Sequence, residues 1–278
     1  MSDFEKALDF TTESLRKLSE TGSNLRGSRE SLRRLAAART AKSTAAAPAT
    51  PAASPRLIAE PTTPTAEVFQ TTGSTKLERI EQLRAAVAPC AKCPQLARSR
   101  TQTVFGVGNI DARIMFVGEA PGADEDLQGE PFVGKAGQLL TKIIETMGVK
   151  RADVFIANVL KCRPDMPPGA SGNRRPATAE MQTCLPYLRS QIEIIKPEVL
   201  VALGSVAMEG LLGSVEPMSR LRGRWHEFQG IPLMATYHPA YLLRNQSLGE
   251  KRKVWEDMLL VMERVRLPIS EKQRGYFL

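Results

Sequence analysis

Histidine is scarce in this chain, with two in 278 residues, His226 and His238. That number is too small for the paired His/Asp ligand sets of a zinc-dependent phosphatase or nucleotide hydrolase. No run of about 18 apolar residues occurs, which excludes a membrane-spanning helix. The first residues lack the apolar core of a signal peptide, because Asp3, Glu5, Lys6 and Asp9 interrupt it, so a cytoplasmic location is expected. Cysteine is also sparse. Four thiols in a cytosolic chain argue against a disulfide framework and for ligation of a metal or cluster.

The formal net charge is +8, and most of the excess falls after residue 75. A basic folded part points weakly to a polyanionic partner. Phe4, Leu8, Leu15 and Leu18 have the spacing of one amphipathic helix, and a second weak helix fits Ser28 to Ala38, giving a helical extension over 1–40. Such a helix can dock a protein partner. Residues 41–75 are dominated by Ala, Pro, Thr and Ser, too poor in apolar surface to offset chain entropy, and read as a disordered linker.

The folded domain is expected over 76–267, with 268–278 as a tail. Leu77, Ile80, Leu83 and Val87 mark its first helix. Strands are expected at Ile114–Val117, Val154–Val159, Val199–Leu203 and Leu233–Thr236. Helices are expected at Lys135–Met147, Thr178–Ile195, Ser205–Leu212 and Glu250–Val265. This alternation predicts a parallel sheet covered by helices on both faces. Ligands of such sheets sit beyond the carboxyl ends of the strands, so the loops after Val117, Val159 and Thr236 are where chemistry is expected.

Cys90 and Cys93 form a two-residue-spaced pair, Cys162 follows a strand, and Cys184 falls inside the next helix. Four thiolates can hold zinc or an iron–sulfur cluster, and spacing alone does not separate the two. Zinc usually takes a second close pair, which Cys162 and Cys184 are not, so the balance tilts to a cluster. Two buried cysteines beside an inert pair are the bland alternative.

The first strand runs into Gly118-Glu119-Ala120-Pro121-Gly122-Ala123-Asp124-Glu125-Asp126, a glycine-bounded turn that lets backbone approach a ligand. Pro131-Phe132-Val133-Gly134-Lys135-Ala136-Gly137 then opens a helix with glycines and an aromatic ring. By itself this pair of loops suits any phosphate-handling α/β protein. Asn158-Val159-Leu160-Lys161-Cys162-Arg163-Pro164 and Thr236-Tyr237-His238-Pro239-Ala240 end the later strands.

Taken in order, these motifs resemble the iron–sulfur uracil-DNA glycosylases, family four of their superfamily, from roughly Leu77 to Val265. The resemblance implies a three-layer α/β/α sandwich with a mostly parallel central sheet and a four-iron four-sulfur cluster on Cys90, Cys93, Cys162 and Cys184. It also implies a monofunctional glycosylase, acting as a monomer on single- or double-stranded DNA containing uracil. Uracil would be flipped into a pocket bordered by Ala120 and Gly122. Phe132 would stack on its face, Asn158 would bond its edge, and Glu125 would fill the space near C5. His238 would donate to O2 as the leaving group becomes anionic.

Where the best-known uracil glycosylases carry an aspartate after the first strand, this chain has Ala120, which makes Glu119 the candidate water-orienting carboxylate. A related branch bonds covalently to its product through a histidine in an Arg-rich loop. The matching stretch here, Lys161 to Pro168, has no histidine, so ordinary turnover is expected. Lys135, Lys161, Arg163, Arg174, Arg175 and Arg244 are the candidate phosphate contacts. The competing reading is a non-catalytic nucleic-acid-binding protein with the same fold and cluster, which would be expected to have lost Asn158 or His238.

Overall fold

The computed structural model describes residues 68–278, apart from Pro168, Ser171 and Ser214. The two helices expected before residue 40, and most of the expected linker, lie outside the described residues.

Four parallel strands form the centre: β2 (Ile114–Gly118), β3 (Phe155–Asn158), β4 (Val199–Leu203) and β6 (Ile231–Thr236). Two short antiparallel strands, β1 (Val107–Gly108) and β5 (Trp225–Phe228), close the edges in the order β1-β3-β2-β4-β6-β5. Every residue of β2, β3 and β4 is buried, as expected of strands covered on both faces. Alternate side chains divide between two cores. Met115, Val117, Phe155, Ala157, Leu200 and Ala202 face one, while Ile114, Phe116, Ile156, Val199 and Val201 face the other.

The first core is covered by α1 (Lys76–Val87), α5 (Thr178–Ile195) and α6 (Ser205–Leu212). The second is covered by α4 (Lys135–Thr146) and α9 (Leu248–Arg264). Helix, sheet and helix layers therefore make the α/β/α sandwich that the sequence predicts. Short helices α2 (Pro94–Ser99), α3 (Ala123–Gln128), α7 (Met218–Leu221), α8 (Pro239–Arg244) and α10 (Glu271–Arg274) fill the loops. No described helix is long and apolar enough to cross a membrane.

Both ends of the packed unit need correction. Phe69 sits on Tyr187, with ring centroids 6.0 Å apart, and its N–H donates to Ser190 Oγ at 2.8 Å. Packing thus begins within the stretch read as linker, because one aromatic side chain is enough to anchor a polar segment. Thr75 then caps α1 in a reciprocal capping box with Glu78. Leu77, expected on the buried face of α1, is 60% exposed. Residues 268–278 are no free tail: Gln273 Nε2 donates to the Thr146 carbonyl at 2.8 Å, and Tyr276 packs edge-on against Trp255. The sequence also hides β5. Its Trp-His-Glu-Phe run pairs with β6 through the Gln229–Gly230 turn, both residues at positive φ, a hairpin geometry that suits strand twist.

Candidate active site and cysteine centre

The ends of β2 and β3 lie side by side, with Gly118 registered against Asn158. Any side chain at 118 would fall on Asn158 Oδ1 and on the Phe132 ring, so glycine is required by space alone. Asn158 is 2% exposed, and its Oδ1 is buried with no hydrogen-bond partner among the described residues. A buried amide oxygen left unpaired costs roughly 1–3 kcal/mol, which is tolerated where a ligand completes the bond.

Phe132 adopts φ 56°, in the left-handed region, and its ring centroid stands 5.5 Å from that of His238. A Cβ at Gly137, in the first turn of α4, would collide with the Phe132 carbonyl. Glu125 fixes this loop. Its carboxylate accepts from the N–H groups of Gly122 at 3.0 Å, Val133 at 3.1 Å and Gly134 at 3.1 Å. Both oxygens are committed to backbone, a structural duty that the sequence did not show. It clamps the loop that presents Phe132.

His238 is the N-cap of α8, directly after β6. Its Nδ1 accepts the Ala240 N–H at 3.1 Å, which leaves the ring proton on Nε2. Burial pushes the imidazole down to about 4, helped by Arg244 and opposed by Glu125. The ring is therefore neutral at pH 7 and a donor only through Nε2. Behind it, Thr236 Oγ1 donates to Asp257 at 2.7 Å, and Arg222 donates to both oxygens of the same carboxylate, at 2.8 and 3.2 Å. Burial pushes the Asp257 carboxyl up to about 6 against both partners. This network was missed in the sequence. Its one signal is a carboxylate between Val254 and Met258, on the buried face of α9.

A cleft of about 690 Å³ opens beside these residues, lined by Glu119, Ala120, Arg175, Tyr237, His238 and Arg244 among others. Glu119 is half-buried, and burial raises its carboxyl above the usual range while Arg175 opposes the rise. Gly122 lies apart from the cleft lining, as the N-cap of α3.

The basic residues divide. Lys135, Arg175 and Arg244 are exposed, and Arg163 is half-buried with one guanidinium N–H on the Gly172 carbonyl. Arg175 pairs with Glu209 at the cleft rim. Arg174 is held by Asp165 and Glu180, which makes it a loop brace as well as a candidate phosphate contact. Lys161 is a correction. It is 1% exposed, and its ammonium donates to the Asn158 carbonyl at 2.9 Å and to Gln191 Oε1 at 2.6 Å, out of reach of any phosphate.

Cys90, Cys93, Cys162 and Cys184 line one small cavity with Leu96, Arg100 and Tyr187. Arg100 Nη1 donates to Cys162 Sγ at 2.9 Å, and the Lys161 N–H donates to Cys184 Sγ at 3.3 Å. Burial raises the Cys93 and Cys162 thiols and pushes Cys184 up to about 12. Among the described residues, no three His, Cys, Asp or Glu side chains converge as ligands of a single ion.

An aromatic ring, an orphaned amide oxygen and a neutral imidazole thus stand together at the carboxyl ends of parallel strands, where ligands of such sheets are bound, with the imidazole on the wall of the cleft. The family model of the uracil DNA glycosylase superfamily matches residues 105–259, and the chain belongs to that superfamily. A type-4 uracil-DNA glycosylase of Thermotoga maritima is 44% identical over 186 residues, covering 66% of this chain and 93% of the relative. Type-4 enzymes of Archaeoglobus fulgidus and Pyrobaculum aerophilum are 41% and 42% identical, each over 63% of this chain and 88% and 90% of their own lengths.

Proposed function

We infer that this chain hydrolyses the N-glycosidic bond of uracil in DNA and leaves an abasic site. The observation that carries the reading is the buried Asn158 Oδ1, unpaired beside the Phe132 ring and close to His238.

A uracil flipped out of the stack lies on Phe132, for a stacking gain of about 1–3 kcal/mol. The Asn158 amide accepts from and donates to the uracil edge, a pattern that cytosine mismatches. As the bond to the sugar breaks, charge grows on the departing base. The neutral His238 donates its Nε2–H to O2 there, having been held in that tautomer by the Ala240 N–H beforehand. Glu119 borders the cleft where Ala120 offers no carboxylate, and it orients the attacking water. Lys135, Arg163, Arg175 and Arg244 contact the phosphates as a group.

The four cysteines hold a four-iron four-sulfur cluster. All four thiols line one cavity without converging on one point, and a cluster spreads its ligands further apart than a single ion does. The cluster supplies a rigid cross-link between the Cys90–Cys93 segment, the loop after β3 and helix α5. No histidine stands in the loop after Cys162, which fits turnover without a covalent product complex. The test is incubation with a uracil-containing oligonucleotide followed by alkali. Strand cleavage at uracil, absent with thymine or cytosine at the same place, is the expected outcome. Visible iron–sulfur absorbance in the purified protein tests the cluster.

A further inference from the structure

We propose that Lys161 is the buried counter-charge of the group held by the four cysteines. The proposal rests on the reading that this group is an iron–sulfur cluster.

Lys161 is 1% exposed, yet both acceptors of its ammonium, the Asn158 carbonyl and Gln191 Oε1, are neutral. Gln191 is itself fully buried and spends its own N–H on the Phe105 carbonyl at 2.9 Å. The ion pairs among the described residues involve other cations: Arg174 takes Asp165 and Glu180, Arg175 takes Glu209, and Arg222 takes Asp257. A buried ammonium without an anion is strongly disfavoured, so a sequence that keeps one there implies negative charge close by.

The cysteine cage adjoins it in the chain and in space. Cys162 is the following residue, and Cys184 Sγ accepts the N–H of Lys161. Four thiolates outweigh the positive charge of a cluster core, so a ligated cluster is an anion. Arg100 also reaches Cys162, but it is partly solvated, and water weakens its field. Lys161 acts from the dry side. Its charge therefore favours the more reduced, more negative state of the cluster and stabilises the ligated form.

The test uses the full chain purified without oxygen, with the wild type beside Lys161→Met and Gln191→Glu. Iron per chain, the midpoint potential, and the decay of visible absorbance under a chelator are measured. Lys161→Met is expected to move the potential to more negative values and to speed decay several-fold. Gln191→Glu sets a carboxylate on the ammonium at the cost of the N–H bond to the Phe105 carbonyl, and is expected to move the potential in the same direction. If Lys161 only braces the Asn158 carbonyl, the potential stays where it is in the variants even where decay speeds up, which overturns the proposal. Gln191→Glu decides alone should Lys161→Met fail to fold. Iron-free wild type removes the cluster reading and the proposal with it, whereas a loaded wild type with both variants unaltered removes the proposal only.

Discussion

His238 is a half-buried imidazole on the wall of the cleft. Burial keeps it neutral, and the Ala240 N–H decides which nitrogen carries the proton. In the proposed reaction, its partner charge exists only while the glycosidic bond breaks. His238→Gln should therefore slow single-turnover excision by about 10²–10³, or roughly 2.7–4 kcal/mol, with affinity for uracil-containing DNA preserved. A rate within about threefold of wild type would remove the residue from the mechanism. The same burial sets an acid response. The folded imidazole lies at about 4 and the free one at 6.5, so between those values the unfolded chain binds more protons. Stability from this residue is complete above pH 6.5 and declines as pH falls towards 4. Denaturant titrations across that window should show a shallower acid loss in His238→Gln than in wild type.

At the scale of elements, β6 and α9 are joined by the buried Thr236–Asp257–Arg222 network, two residues before His238. The pair is desolvated, with Asp257 0% and Arg222 15% exposed in their side chains. Removing one partner strands the other, so Asp257→Ala should lower unfolding free energy by about 3–5 kcal/mol in urea titrations. A loss under about 1 kcal/mol would mean that Arg222 finds water on its own. Helix α2 and the loop after β3 meet at the cysteines. If the proposed cluster is bound there, Cys90→Ala or Cys162→Ala should give colourless, poorly soluble protein, since one missing thiolate would leave it under-ligated. Full iron in either variant would remove that cysteine from the ligand set.

For the whole molecule, the packed unit begins earlier than composition suggests. Removal of residues 1–67 should leave excision within about tenfold of the full chain, a change of under about 1.4 kcal/mol. Removal of 1–75 also takes Phe69 and the Thr75 cap, and should lower the melting temperature where the shorter truncation does not; a lost cap alone costs about 1 kcal/mol. Equal melting temperatures would show that the Phe69 contact adds nothing.

The sequence by itself determined the sandwich and the location of its site. Apolar runs such as Ile114–Val117 and Val199–Leu203, alternating with helical patterns, read as strands buried on both faces, and the loops at their carboxyl ends carried the motifs. It determined which residue types were at hand: an asparagine, a phenylalanine, a histidine and four cysteines. Tertiary structure alone decided their duties, because a charged side chain reads alike whether it meets water, backbone or another charge. Glu125 gained a loop-clamping duty because three backbone N–H groups meet its oxygens. Lys161 left the DNA face because the chain after β3 turns its side chain inward, towards Asn158 and Gln191. Period and composition report which face of an element is dry; they carry no record of a hydrogen bond between residues 30 positions apart, such as the one that buries Lys161.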